Sequence, residues 1–279
     1  MQPFKIGLIQ ASYRSSFKES LPEIARFSSY KAEMTEEDFD FNLQRFVNLA
    51  REAASRGADM VLSSESILDG WSADYQTAKR SAVSMRSREV EVLATTAGQA
   101  GIWMCAALFV QEKGALYNSA LLFGPDGGVQ GTYRKTHETK DVLERIPYCL
   151  GNELPVFGTA HGTLAILICH DRWYPESARA LRRKGAGIIL NPVAAGVYSP
   201  YHRYQEIHRC VLRTQAYVNG VFWASCNSAN HGGHSVVAAP DGTIVAEASA
   251  REEVLIATID PDEFDSYDFV ANVRPEIYR

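Results

Sequence analysis

Residues 164–176 read LAILICHDRWYPE. An apolar, strand-like run from Leu164 to Ile168 stops at Cys169, and polar, turn-forming residues follow at once, with Pro175 placed to open a helix. A thiol at the end of a buried strand can face a pocket. The N–H groups of the turn behind it can favour a thiolate and hold a developing oxyanion. Taken alone, a cysteine in an apolar strand is a small core residue, so the reading has to be carried by residues elsewhere.

Two further segments share this layout. In residues 58–71, ADMVLSSESILDGW, the run Met60–Leu62 leads into Glu65. In residues 131–137, GTYRKTH, which follow the strand-like ALLFG and a PDGG turn, the residue presented is Lys135. A carboxylate, an ammonium and a thiol make a complete set for acyl transfer: Glu65 accepts a proton, Lys135 stabilises negative charge, Cys169 attacks.

With these residues in place the sequence resembles the carbon–nitrogen hydrolases of the nitrilase superfamily, whose signature is a Glu-Lys-Cys triad on three separated strand ends. The likeness runs through nearly the whole chain: FKIGLIQAS, FNLQRFVNLAREAASRGAD, SESILDGW, YNSALLFGPDGGVQGTYRKTH, ICHDRWYPESARALRRKGAGIILNP, RTQAYVNGVFWASCN, GGHSVVAAPDGTIVAEAS and VLIATID, in that order. Each pattern is weak alone, and their order and spacing make them specific. The sequence departs from the common pattern at Ser64, where the family usually has Pro, at Asp69, where a small hydroxyl residue is frequent, and over residues 13–34, which are longer and more polar than the usual connection. The resemblance implies a four-layer α-β-β-α sandwich. It also implies a Cys-dependent hydrolysis of an amide, ureido or nitrile carbon without metal or organic cofactor, and association into a homodimer or larger homo-oligomer in which the tail, residues 264–279, takes part. The string DRWYPE is closer to the amidase and N-carbamoyl-amine hydrolase branches than to true nitrilases, so a small linear amide or carbamoyl compound is the expected substrate. A nitrilase is the alternative within the enzyme class, and a catalytically silent member that binds a metabolite or protein is the alternative outside it.

Composition agrees with an ordinary globular enzyme. The 279 residues are 46% hydrophobic and 22% charged, with a formal net charge of −5, and no linker, charge block or low-complexity tract divides them, so residues 1–279 read as one domain. Charges are interspersed, and no basic run with interleaved aromatics gives a nucleic-acid footprint. No apolar run approaches the roughly 18 residues of a membrane helix. Five cysteines without a CxxC pair point to a reducing, cytoplasmic setting.

Hydrophobic periodicity predicts strands at Phe4–Gln10, Ile102–Val110, Gly187–Leu190 and around VFWASCN. It predicts helices at Phe41–Arg56, with Asp38 or Asp40 as cap, and at Arg86–Ala100, ended by Gly101. Further helices are expected at Pro175–Lys184 and Tyr204–Tyr217. Asp126-Gly127-Gly128 is a hairpin signal. The remaining candidate site residues lie around the triad. Glu144, nine residues after Lys135, lies in a loop where the resembled family often carries a second acid ahead of an aromatic-x-Gly turn, here Tyr148–Gly151, and the resemblance makes it a candidate to orient Lys135 or the substrate nitrogen; otherwise it pairs with Lys140 or Arg145 on a solvated turn. His170, next to the thiol on what reads as a strand, points its ring to the opposite face and offers its backbone N–H. Asp171 reads as a structural holder of the turn. Arg172 suits a substrate carboxylate or an acidic neighbour, and Trp173 lines or underlies the pocket. The remaining histidines show no metal-ligand spacing, so no metal site is expected.

Overall fold

The computed structural model describes residues 1–16, 29–30, 33–72, 74–195 and 204–277. Its first half runs β1 (Phe4–Gln10), the short β2 (Arg14–Ser15) and β3 (Ser29–Tyr30), α1 (Glu36–Ser55), β4 (Met60–Ser63), α2 (Tyr75–Ser81) and α3 (Arg88–Ala100). After these come β5 (Trp103–Glu112), β6 (Ala115–Phe123), β7 (Val129–Arg134) and α4 (Lys140–Arg145). The second half runs β8 (Val156–Thr159), β9 (Gly162–Ile166), a 3-10 turn (Cys169–Trp173), α5 (Pro175–Arg183) and β10 (Ile188–Val193). It continues with α6 (Tyr204–Asn219), β11 (Phe222–Asn227), β12 (Val236–Ala238), β13 (Ile244–Glu247) and β14 (Glu253–Ile259).

Strand alternation explains the layers. Ile6 and Leu8 of β1, Met60 and Leu62 of β4, and Cys105 and Ala107 of β5 share a core with Leu164 and Ile166 of β9 and Leu190 of β10. The intervening Ile9, Val61, Met104 and Ala106 pack instead with Leu43, Phe46, Val47 and Ala50 of α1 and with Leu93 and Ala97 of α3. Period-2 side chains that are apolar on both faces require cover on both faces. Helices cover one face of the first sheet, and the second sheet covers the other. On the far side of the second sheet, Ala178 and Leu181 of α5 and Leu212 and Ala216 of α6 complete the cover. The arrangement is a four-layer α-β-β-α sandwich, and each fully buried Leu or Ile adds about 1.5–3 kcal/mol to it.

The first sheet has the order β14-β1-β4-β5-β6-β7 and the second β13-β12-β11-β10-β9-β8. In each, the three middle strands of βαβ type are parallel, β1-β4-β5 in one and β9-β10-β11 in the other. Ligand sites in such sheets lie beyond the carboxyl ends of the parallel strands, and both Glu65, after β4, and Cys169, after β9, stand there.

Two expectations needed correction. The first helix starts at Glu36 rather than Phe41, because Thr35 and Asp38 form a reciprocal capping box, with Thr35 N–H and hydroxyl donating to Asp38 Oδ2 at 3.0 and 2.9 Å. Cys169 does not end a strand; β9 stops at Ile166 and the thiol opens the 3-10 turn. Most of the long connection over residues 13–34 lies outside the described residues.

Candidate active site

Glu65 leaves β4 in a tight loop where Ser66, Gly70 and Trp71 all have positive φ, of 60°, 59° and 58°. Its backbone N–H donates to the Val193 carbonyl at 3.2 Å, which ties it to the second sheet. The side chain is buried. Oε1 accepts from Asn118 Nδ2 and from Lys135 Nζ, each at 2.8 Å, while Oε2 is buried without a hydrogen-bond partner among the described residues.

Lys135 follows β7 and stays in register with β6, its N–H donating to the Asn118 carbonyl at 2.9 Å. Its ammonium is 1% exposed, bonds Glu65 and Glu138, and lies 5.3 Å from the Trp71 ring centroid. Burial alone would pull this ammonium down, but Glu65, the facing Tyr148 and Cys169, and Glu138 together hold it well above the ordinary lysine value. Lys135 is therefore a fixed cation at every working pH.

Cys169 has φ +43°, a conformation that costs a non-glycine residue about 1–3 kcal/mol. Arg172 Nη1 donates to its carbonyl oxygen and approaches its Sγ at 3.4 Å. Burial pushes the thiol up to about 11, with Glu65 raising it further and Arg172 and Lys135 pulling it down. Glu65 and Lys135, 70 residues apart along the chain, thus both act electrostatically on a sulfur carried by the other sheet. The thiol form is therefore the prevailing one at neutral pH.

Glu144 stands elsewhere. The segment expected as a loop is helix α4, capped by Thr139, and it turns Glu144 outward, 64% exposed and 3.5 Å from Lys140. The acid on Lys135 is Glu138, which also accepts from the Tyr148 hydroxyl at 2.8 Å. Sequence reading missed it although the signal was present: in KTHE a carboxylate three residues past the lysine reaches the same ammonium once the strand has ended. Asn118, inside the quoted YNSALLFG, was missed because nothing in a strand sequence tells which polar side chain meets a carboxylate.

His170 also differs from expectation. In a 3-10 turn, strand alternation does not apply, and the imidazole is half-buried against Tyr174, whose ring is 5.7 Å away. Burial holds it below the ordinary histidine value, with the charges of Glu138, Lys135 and Arg172 also acting on it. Arg172 is buried and lies 4.7 Å over the partly buried Trp173 ring. Asp171 is wholly buried and holds the turn, as the sequence suggested, by accepting from Ile168 N–H at 2.9 Å. Among the described residues no three His, Cys, Asp or Glu side chains are grouped to hold a metal ion.

Two buried acids, a buried cation and a thiol in the turn that follows β9 are thus gathered on one α-β-β-α sandwich. The carbon-nitrogen hydrolase family model matches residues 25–269, and the chain belongs to that family. It is 29% identical over 247 residues to omega-amidase NIT2-A of Xenopus laevis, covering 85% of this chain and 87% of the relative. It is 28% identical over 274 residues to N-carbamoylputrescine amidase of Arabidopsis thaliana, covering 87% and 90%. The crystal structure of a carbon-nitrogen hydrolase from Helicobacter pylori G27 superposes with a TM-score of 0.81 at 23% identity, over 99% of this chain and 97% of that one.

Proposed function

We propose that this enzyme hydrolyses a small linear amide or N-carbamoyl compound through a thioester-type intermediate on Cys169, releasing ammonia. The observation that carries the reading is the asymmetric Glu65 carboxylate: one oxygen bonded by Asn118 and Lys135, the other buried with no hydrogen-bond partner among the described residues, its charge acting on the Cys169 thiol. Glu65 Oε2 takes the thiol proton as Sγ bonds the carbonyl or ureido carbon. Lys135, aided by the His170 N–H, stabilises the tetrahedral oxyanion. The C–N bond then breaks, and the leaving nitrogen takes the proton from Glu65. Water gives a proton to the same carboxylate as its oxygen attacks the thioester, and the carboxyl product leaves as the proton returns to sulfur. Glu138 and Tyr148 hold the ammonium in place. Arg172, bonded to the Cys169 carbonyl, and Trp173 shape the wall on which the acyl group rests. The names of the relatives, an omega-amidase and an N-carbamoylputrescine amidase, support amide and carbamoyl substrates over nitriles.

Ammonia release from a panel of amides, N-carbamoyl amines and nitriles tests the reading. Turnover of the first two classes that disappears in Cys169→Ala supports it. Turnover of nitriles alone makes the enzyme a nitrilase, and silence without alkylation of Cys169 makes it a binding protein.

We also infer a homo-oligomer that uses residues 264–279. Tyr267 and Ile277 are 57% and 59% exposed, and Phe269 packs on the exposed Tyr217 of α6. Five free cysteines support a cytoplasmic setting.

A further inference from the structure

Cys169 belongs to the second sheet and Lys135 to the first, so the hydrogen bonding of neither sheet sets their spacing. We propose that Asp171 is a positioning residue, a clamp between the sheets that fixes the thiol turn against the lysine segment. Its carboxylate is fully buried and takes hydrogen bonds from both sides. From its own turn comes Ile168 N–H, at 2.9 Å to Oδ2. From the lysine segment come the Tyr133 hydroxyl at 2.7 Å to Oδ2, and to Oδ1 the Thr136 hydroxyl at 3.1 Å, His137 N–H at 2.8 Å and His137 Nδ1 at 3.0 Å. Tyr133 and Thr136 bracket Lys135 in sequence, so the strand carrying the cation is gripped on both sides of it.

The chemistry of the acceptor fixes the protons. A carboxylate only accepts, so His137 carries its proton on Nδ1. Tyr133 is kept as a hydroxyl, its ionisation opposed first by burial and then by the Asp171 charge. An amide in place of the carboxylate turns one oxygen into a donor that faces donors, so Asp171→Asn breaks the clamp with almost no change of volume. The neighbouring ring contacts follow from the same clamp: His137, held by Asp171, stacks on Tyr174 with centroids 4.0 Å apart, and Tyr174 closes the thiol turn by donating its N–H to the Asp171 carbonyl at 3.2 Å.

The inference rests on Cys169 as nucleophile and Lys135 as its cation, and its test needs no substrate. The second-order rate of Cys169 alkylation by iodoacetamide at pH 8, per folded molecule, reports how well the cation serves the sulfur. Tyr133→Phe and Thr136→Val each remove one strut while leaving the Ile168 bond intact. Both are expected to slow alkylation about five- to tenfold and to lower kcat at least as much with KM within about twofold, since small misplacement acts on the reacting geometry. Thr136→Ser, which returns the hydroxyl, is expected to restore the wild-type rate. Asp171→Asn is expected to slow alkylation more than either single strut; if it does not fold, the strut variants decide. Variants that lower Tm but keep alkylation and kcat within twofold of wild type per folded molecule overturn the clamp. Silence toward every amide ends the functional reading, but the alkylation rates still support or refute the clamp.

Discussion

A thiol held at about 11 is almost entirely protonated at pH 7, and Cys169 depends on a neighbouring base rather than on a standing thiolate. Its alkylation is therefore expected to climb steadily from pH 7 to pH 10 without a plateau near neutrality; a plateau below pH 8 refutes this. The two acids divide in the same way. Glu138→Gln, which loosens Lys135, is expected to lower kcat about 10- to 100-fold, whereas Glu144→Gln, on an exposed pair worth under about 1 kcal/mol, leaves it within about twofold. Steady-state kinetics on the best amide of the panel check both. Asp69 gives a pH signature in stability. It is wholly buried, one oxygen accepts Ser72 N–H at 3.2 Å, and burial outweighs its hydrogen bonds and pushes it from 3.8 up to about 6. The native chain keeps this proton where the unfolded chain has lost it, so stability is full below pH 3.8 and drains as pH rises through about 6. Urea unfolding is expected to show Asp69→Asn gaining on wild type by on the order of 3 kcal/mol between pH 4 and pH 7, and an equal difference at both values rules this out. Ionisable residues placed just past apolar runs make the grouping of Glu65, Lys135 and Cys169 legible in the sequence, although the run before Cys169 leaves the strand at Ile166. Glu138, Asn118 and the clamp under Asp171 are not, because each depends on which polar atoms meet after the sheets pack.

At the level of elements, the loops do the positioning. Gly151 donates its N–H to the Lys135 carbonyl at 2.8 Å, and a Cβ there would press into the Arg134 carbonyl oxygen. Gly151→Ala is expected to cost about 1–3 kcal/mol by overpacking and to lower kcat by displacing the lysine backbone; a Tm and kcat both equal to wild type would contradict the tight approach. Periodicity located β1, β5, β10 and β11, helices α3, α5 and α6, and turn residues located the hairpin at Asp126–Gly128, since alternation and turn residues are local signals. It misplaced the start of α1, where a Thr-Asp capping box outweighed the apolar pattern, and missed α4, a short helix with no buried residue to give it a stripe.

For the whole molecule, the apolar faces of both sheets are matched to each other, and that match was legible only through the family likeness; alternation shows that a face is buried, not what buries it. If the tail joins copies of the chain, removal of residues 266–279, which spares the core contact of Phe264 with Phe222, is expected to lower the mass seen by size-exclusion with light scattering. An unchanged mass removes the tail from the interface. The placement of the triad on two sheets also has a bearing on biosynthesis. Acid and amine are both laid down by residue 135, and the sulfur arrives only at residue 169, on the other layer. A polypeptide that ends before residue 169 thus carries acid and amine without the sulfur they act on.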